Sequence, residues 1–247
     1  MKVALVGEIH ANLPALEAVL AHARQQQAQA IWSVGDIVGY GPFPDQVVQQ
    51  LQKEYVLSTI GDNDHQVLRF KKKRAKWRRE KRLEEYLSLK WTYEQLSKES
   101  RKYLRFLSRE IRMRTQRQRV LLMPGDLKSG KEYLSADTSE ARLRKVAQQA
   151  KADIIACGHS HQPFVRRIDG VWFISPGSTG HPVDGDARAS YALLQFGSDG
   201  LTVRHQRVAY DVEETVSAIR EHKLPEALAQ IFLQAHDLGT VLEGAHG

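Results

Sequence analysis

Short apolar runs alternate with amphipathic stretches from the first residues onward. Residues 2–7 are almost continuously apolar, which suits a strand covered on both faces. Residues 13–27 switch to a helical period, with Leu13, Leu16, Val19 and Leu20 on one side, Asn12 placed to cap and Pro14 in the first turn. Residues 30–34 are a second strand, 43–53 a second helix with Val47, Val48 and Leu51 inward, and 56–60 a third strand ending at Gly61-Asp62-Asn63-Asp64. Strand–helix–strand order at this spacing predicts a mostly parallel sheet covered by helices. From His65 to about Arg114 the pattern turns helical and polar, with Ser97 as cap of a helix over 98–108. Strands resume at 119–123 and 153–157, separated by a helix over 139–152 capped by Ser139. Hairpins follow: 164–168 with 171–174 around Asp169-Gly170, then 190–196 with 201–210 around Gly197-Ser198-Asp199-Gly200. Two helices, 212–222 and 225–236, close the pattern, and the residues from about Leu238 are expected to be loose. No repeat or linker breaks the order. The chain reads as a single α/β domain over 1–247, with 66–117 as a helical insert or cap within it.

Charge alters this picture in one place. The 247 residues carry a net charge of +7, yet residues 69–119 alone hold 20 Lys and Arg against 6 Asp and Glu. A mildly acidic body is therefore joined to a strongly basic segment, which speaks of partners rather than fold. Its densest part, 69–82, has ten cations and one glutamate. Like charges four apart oppose a helix unless a polyanion screens them. Lys71, Lys72, Lys73, Arg74, Arg78 and Arg79 are thus candidate contacts for RNA or DNA, or for an acidic protein. Phe70, Trp77, Tyr86, Trp91, Tyr93 and Tyr103 are interleaved with these charges. Most are expected to form a small core, and a minority could stack on bases. The single cysteine, Cys157, lies in an apolar run and reads as a core residue; an internal disulfide is excluded, which suits a reducing cytoplasm. No apolar run is long enough to span a bilayer, and the first one meets Glu8 and His10 too soon for a signal peptide.

Chemistry collects where the strands stop. The run 30–34 drives into Gly35-Asp36, and Gly39, Gly41 and Pro42 hold the loop that follows. The first strand ends in Gly7-Glu8-Ile9-His10, the third in Gly61-Asp62, and 153–157 in Gly158-His159-Ser160-His161. Carboxylates mixed with imidazoles suit one or two borderline divalent cations such as Mn²⁺, Fe²⁺ or Zn²⁺. The candidate ligands are Glu8, His10, Asp36, Asp62, His159 and His161, with Asp36 central or bridging. A metal pair in such a site activates a water and neutralises a phosphoryl oxygen.

With these motifs the sequence resembles the calcineurin-like metallophosphoesterases, in particular the small bacterial and archaeal phosphodiesterase type. That family's opening Asp-x-His-Gly-Asn falls on Glu8-Ile9-His10-Ala11-Asn12, and its Gly-Asp with a following Gly-Pro on Gly35-Asp36 and Gly41-Pro42. Its Gly-Asn-His-Asp falls on Gly61 to Asp64, its Gly-His-Thr-His on Gly158 to His161, and its Asn-Pro-Gly-Ser on Ser175 to Ser178; Arg188-Ala189-Ser190-Tyr191 also matches. The resemblance implies a two-sheet αββα sandwich with a metal site at the sheet edge, and a metal-dependent hydrolase acting on phosphate mono- or diesters through a metal-activated water. Asp36, Asp62 and His159 would carry catalysis. It also implies a first metal position from Glu8, His10, Asp36 and His161, and a second from Asp36, Asp62 and His159. Four departures make this a degenerate site. Glu8 replaces an aspartate, Asp62 an asparagine, and Asn63 the histidine that assists the phosphate oxygen or leaving group. Pro124 replaces a ligand histidine, and proline cannot bind metal. His65 is displaced from the Asn63 position by two, and Asp126 is a candidate stand-in for the histidine missing at Pro124. Weak or altered phosphoesterase activity is one expectation. The alternative is a catalytically degenerate homologue that binds nucleic acid or protein through the basic insert.

Overall fold

The computed structural model describes residues 1–115, 117–125, 133–198 and 200–244. In chain order its first half comprises β1 (Lys2–Val6), α1 (Leu13–Gln25), β2 (Ala30–Ser33), α2 (Pro44–Lys53), β3 (Leu57–Ser58), α3 (Asp62–Glu80), α4 (Leu83–Gln95), α5 (Lys98–Phe106), β4 (Ile111–Thr115) and β5 (Gln118–Met123). Then come α6 (Glu140–Ala150), β6 (Ile154–Cys157), β7 (Pro163–Ile168), β8 (Val171–Pro176), β9 (Ala189–Gly197), β10 (Gly200–Val208), α7 (Val212–Glu221), α8 (Glu226–Gln234) and α9 (Leu238–Gly244). The strands form two five-stranded mixed sheets, ordered β10-β9-β1-β2-β3 and β4-β5-β6-β8-β7.

The continuous apolar runs are explained by burial on both faces. In β1, Val3 and Leu5 point between the sheets and meet Val120, Leu122, Ile154, Ala156, Ile174 and Leu194. Ala4 and Val6 point the other way, against Leu16, Val19 and Leu20 of α1 and Val47, Val48 and Leu51 of α2. On the second sheet Leu121, Met123, Ile155 and Cys157 pack outward with Leu143 and Val146 of α6. The layers are therefore helix, sheet, sheet, helix. Caps read from the sequence are made: Asn12, Ser97 and Ser139 accept from the amides of Ala15, Ser100 and Arg142. Cys157 is fully buried, and burial followed by the charge of Glu8 pushes its thiol up to about 12. Among the described residues no helix is long and apolar enough to cross a membrane.

Four local expectations are corrected. The third strand is only Leu57–Ser58, because Ile60 leaves the sheet and donates its amide to the Ser108 carbonyl at 3.0 Å. Asp62-Asn63-Asp64 is consequently the first turn of α3, where the helical pattern is expected only from His65, with the Asp64 carboxylate reaching back to the Gly61 amide at 2.9 Å. The helical excursion stops before Ile111. Residues 111–115 pair antiparallel with β5 as a sheet edge, where Arg112 and Arg114 charge the outer strand. The terminal residues are helical as far as Gly244, since Leu238 and Val241 join the cluster of Val216, Ile219, Leu228 and Phe232. Asp199, in the last hairpin turn, lies outside the described residues. Phe70 is buried between helices, and Trp77, Tyr86, Tyr93 and Tyr103 pack partly buried beside it.

Candidate metal centre

Strands β1 and β2 run parallel and stop at the same edge, as do β5, β6 and β8 of the facing sheet. The residues after them meet there. Glu8, His10, Asp36, His159 and His161 all hold left-handed backbone, with φ of 51°, 49°, 51°, 77° and 55°. None is glycine, so each is a strained position fixed by its surroundings. Backbone hydrogen bonds fix them. The Glu8 amide donates to the Gly35 carbonyl, and the amides of Ile9 and His10 both donate to the Asp36 carbonyl. From the other sheet, the Thr179 and Gly180 amides donate to the carbonyls of Gly7 and Glu8. A side chain at Gly180 would run into the Ile9 carbonyl, so this crossing needs glycine.

Glu8 is at the centre. Its Oε2 lies 3.1 Å from His10 Nε2 and 3.1 Å from His161 Nε2, and those two nitrogens are 3.3 Å apart. Its Oε1 accepts from the His159 amide. Burial works against the charge on Glu8, but the charge of His161 and the hydrogen bonds of both imidazoles hold its carboxyl well below the usual range. Asp36 is the opposite case. Burial and the adjacent Glu8 and Asp64 carboxylates push it well above the usual range, although the Asn63 amide donates to its Oδ1 at 2.6 Å. Two buried carboxylates that repel each other are relieved by a cation. The Asp36 loop rests on Gly61, where a side chain would strike the Asp36 carboxylate and amide. Asp64, fully buried, accepts from the amides of Ile37 and Val38, each at 2.9 Å, besides Gly61.

His181 belongs to this group and was not among the residues picked out by motif. Donor nitrogens of His10, His161 and His181 lie within 4.8 Å of one another. The His181 Nε2 donates to the His236 carbonyl at 3.2 Å, and its Nδ1 is buried with no hydrogen-bond partner. Burial, then the charges of His161 and His10, keeps His181 neutral. A neutral imidazole with one nitrogen held by a carbonyl and the other bare is in the state a metal needs. His161 also donates its Nδ1 to a carbonyl, that of His181 at 2.6 Å, but its Nε2 faces Glu8 Oε2, and although burial works against its charge, the Glu8 carboxylate pushes its pKa above the usual value. No short motif flags His181: Gly158-His159 directly follows β6, whereas Gly180-His181 lies beyond the Gly177-Ser178-Thr179 turn that follows β8. The donor set of imidazoles and carboxylates fits a borderline divalent cation.

Of the other predicted residues, Asp62 and His159 have partners of their own. The Asp62 carboxylate accepts from Arg109 at 2.9 Å and from the Tyr133 hydroxyl at 3.0 Å. The His159 ring, held neutral by burial, stacks against Tyr133. His65 lies in the second turn of α3, lining a cleft beside Asp62 rather than the cluster. Pro124 is buried directly after β5, while Asp126 lies outside the described residues. Lys71, Lys72, Arg74, Arg78 and Arg79 are exposed on α3 and Lys73 is half-buried.

Known proteins agree with this architecture. The profile of the calcineurin-like phosphoesterase superfamily domain matches residues 1–199. A crystal structure of a metallophosphoesterase from Sphaerobacter thermophilus is 30% identical, covering 95% of this chain and 99% of that one, with a TM-score of 0.76. A hypothetical protein from Pyrococcus horikoshii OT3 is 23% identical over 94% and 97% of the two chains and superposes with a TM-score of 0.84. An uncharacterized protein of Methanocaldococcus jannaschii is 29% identical over 92% of this chain and 96% of its own. With its motifs at the meeting edge of two sheets and its full-length relatives, the chain belongs to the calcineurin-like phosphoesterase superfamily.

Proposed function

We propose that the protein is a metal-dependent phosphoesterase hydrolysing phosphate mono- or diesters at the Glu8–His10–Asp36–His161 cluster. The convergence of Glu8 Oε2, His10 Nε2 and His161 Nε2 within 3.3 Å of one another carries this reading. A divalent cation held there would supply Lewis-acid polarisation of the phosphoryl oxygen and a water of lowered pKa. The chain's own residues do the positioning. The His159 amide and the two imidazoles hold Glu8, the Asn63 amide orients Asp36, and the His181 carbonyl sets the tautomer of His161. His159, neutral and bordering the recess lined by Asn63 and Tyr133, is placed to exchange a proton there. Asp62, tied to Arg109 and Tyr133, lends its charge from the recess wall. The reading is tested by loading the protein with Mn²⁺ or Zn²⁺ and measuring hydrolysis of p-nitrophenyl phosphate and its bis-ester, with metal content determined alongside. Bound metal without turnover of either ester would overturn it.

His181 extends the ligand set in this reading. Its replacement by alanine is expected to weaken metal binding about 10- to 100-fold, the loss that removing even an outer-sphere partner produces. Calorimetric titration of Zn²⁺ into metal-free protein reads this directly. Unchanged affinity would remove His181 from the set.

Residues 66–117 form, in our proposal, a cap over the site, bounded at its end by the sheet strand β4. Lys81, at the end of α3, and Glu85, Ser88 and Leu89 of α4 wall the same recess as His159, and the Ser88 hydroxyl accepts from the Tyr40 amide at 2.7 Å. A second reading, a catalytically quiet polyanion-binding module, is favoured by one observation. Lys71, Lys72, Lys73, Arg74, Arg78 and Arg79 make no ion pair or side-chain hydrogen bond among the described residues. Five phosphate contacts would give a slope of log K against log salt of about −3.5 for a single strand or about −4.5 for a duplex. Anisotropy titrations of a labelled oligonucleotide should show that slope and lose it when the six are changed to glutamine. Binding indifferent to those changes would leave this face solvated or free for an acidic protein. In our reading the protein is cytoplasmic, which its single buried cysteine, Cys157, suits.

A further inference from the structure

Helix α3 begins at the metal centre and leads away from it. Asp62 and Asn63 are in its first turn, and His65, Gln66, Arg69 and Trp77 recur along one face at helical spacing. Together with Arg109 and Tyr133 that face lines a cleft of about 530 Å³. The cleft shares Asp62, Gln66 and Tyr133 with the recess bordered by Asn63 and His159, so the two adjoin.

The charge in this cleft is unbalanced. Arg69 is exposed and makes no hydrogen bond or ion pair among the described residues. Arg109 touches Asp62 through one nitrogen, and half of its side chain is open to solvent. His65 Nε2 is buried and has no hydrogen-bond partner. Among the described residues Asp62 is the one acid of the lining, and it is already shared with Arg109 and Tyr133. Two guanidiniums and an unpartnered imidazole around one committed carboxylate leave an excess of donors. Guanidinium forks suit phosphate, and the excess lies one step along the cleft from the reacting centre.

We propose that this cleft is a subsite for a second phosphate of the substrate, held by Arg69 and Arg109, so that the preferred ester carries another phosphate beside the one being cleaved. The proposal rests on the phosphoesterase reading for its meaning, but binding tests it without turnover. Hydrolysis breaks the bond from phosphorus to the leaving oxygen and forms one to the oxygen of water. The second phosphate stays intact and only anchors.

Two pairs of compounds isolate the effect. The first is the 5′-(p-nitrophenyl) ester of thymidine 5′-phosphate against the same ester bearing a 3′-phosphate. The extra phosphate is expected to lower KM about tenfold, the scale of one charge-assisted contact pair. Arg69→Gln should bring the two KM values together, and Arg69→Lys should restore part of the difference. The second pair is thymidine 3′,5′-bisphosphate against thymidine 5′-phosphate, whose binding is measured calorimetrically. The same tenfold preference and the same loss in Arg69→Gln are expected. If neither ester is hydrolysed but the binding preference appears, the phosphoesterase reading fails and the subsite stands. Equal affinity for the second pair, or a preference that survives Arg69→Gln, overturns the subsite.

Discussion

Changing Asp36 to asparagine is expected to lower kcat/KM on a phosphodiester by about 10³-fold, a loss of roughly 4 kcal/mol of transition-state stabilisation, while the fold stays intact. Asp36 is 1% exposed and lies against Glu8 and Asp64, with burial and both charges working against its ionisation. In metal-free protein that carboxylate is a burden. Asparagine has the same shape and keeps an oxygen for the Asn63 amide, now 2.6 Å from Oδ1. It removes the charge a cation needs and the repulsion that metal-free protein suffers. The two effects part company in measurement. In chelator the variant should melt at or above the temperature of the unchanged protein. With metal added, the unchanged protein should gain stability by mass action, and the variant should gain much less. Metal content and turnover should fall together. A variant that keeps activity within tenfold would show that Asp36 does not hold the metal, and with it the central assumption about this site would go.

The residues that made the fold legible were those with a single dominant environment. Val3 to Val6 are buried on both sides, and no other element suits such a run. Asn12, Ser97 and Ser139 announce helices because a side-chain acceptor meets a free amide there. The mistakes came where two local rules compete. Ile111-Arg112-Met113-Arg114-Thr115 alternates as an edge strand, yet its arginines continue a basic helical stretch, and only pairing with β5 decides. Asp62-Asn63-Asp64 has turn composition, and the same composition starts a helix when Asp64 can reach back to Gly61. At the site, Glu8, His10, Asp36 and His161 were readable because short motifs carry them to strand ends. His181 was not, since its partners His10 and His161 come from other strand ends, and such distances close only in three dimensions. The direction of the Asp62 carboxylate was likewise invisible, because Arg109 and Tyr133, which hold it, lie 47 and 71 residues away.

Asp64→Ala should be the most destabilising polar substitution near the site, costing about 4 kcal/mol. Asp64 never touches the cluster nitrogens. It accepts from three amides, those of Ile37 and Val38 through Oδ1 and that of Gly61 through Oδ2, each at 2.9 Å. All are in the two loops that clamp Asp36, and Asp64 itself is fully buried. Alanine leaves three donors with no acceptor and no room for full hydration, at about 1–3 kcal/mol for each group left unsatisfied. For a domain near this size about 4 kcal/mol corresponds to a fall in Tm of roughly 8–16 °C. Asparagine should fall between. Its oxygen can serve Ile37 and Val38 as before, but its NH₂ then meets the Gly61 amide donor to donor. Thermal melts of the three proteins should therefore rank aspartate, asparagine, alanine. Catalysis should follow the same order, because the strand end at Asp36 and the helix start at Asn63 are joined through this one carboxylate. A high concentration of metal should recover part of the lost stability in both variants, since the ligands themselves are untouched and only their support is weakened. An alanine variant that melts within about 2 °C of the unchanged protein would show that other contacts hold the loops, and that Asp64 is an ornament of the helix start and not its anchor.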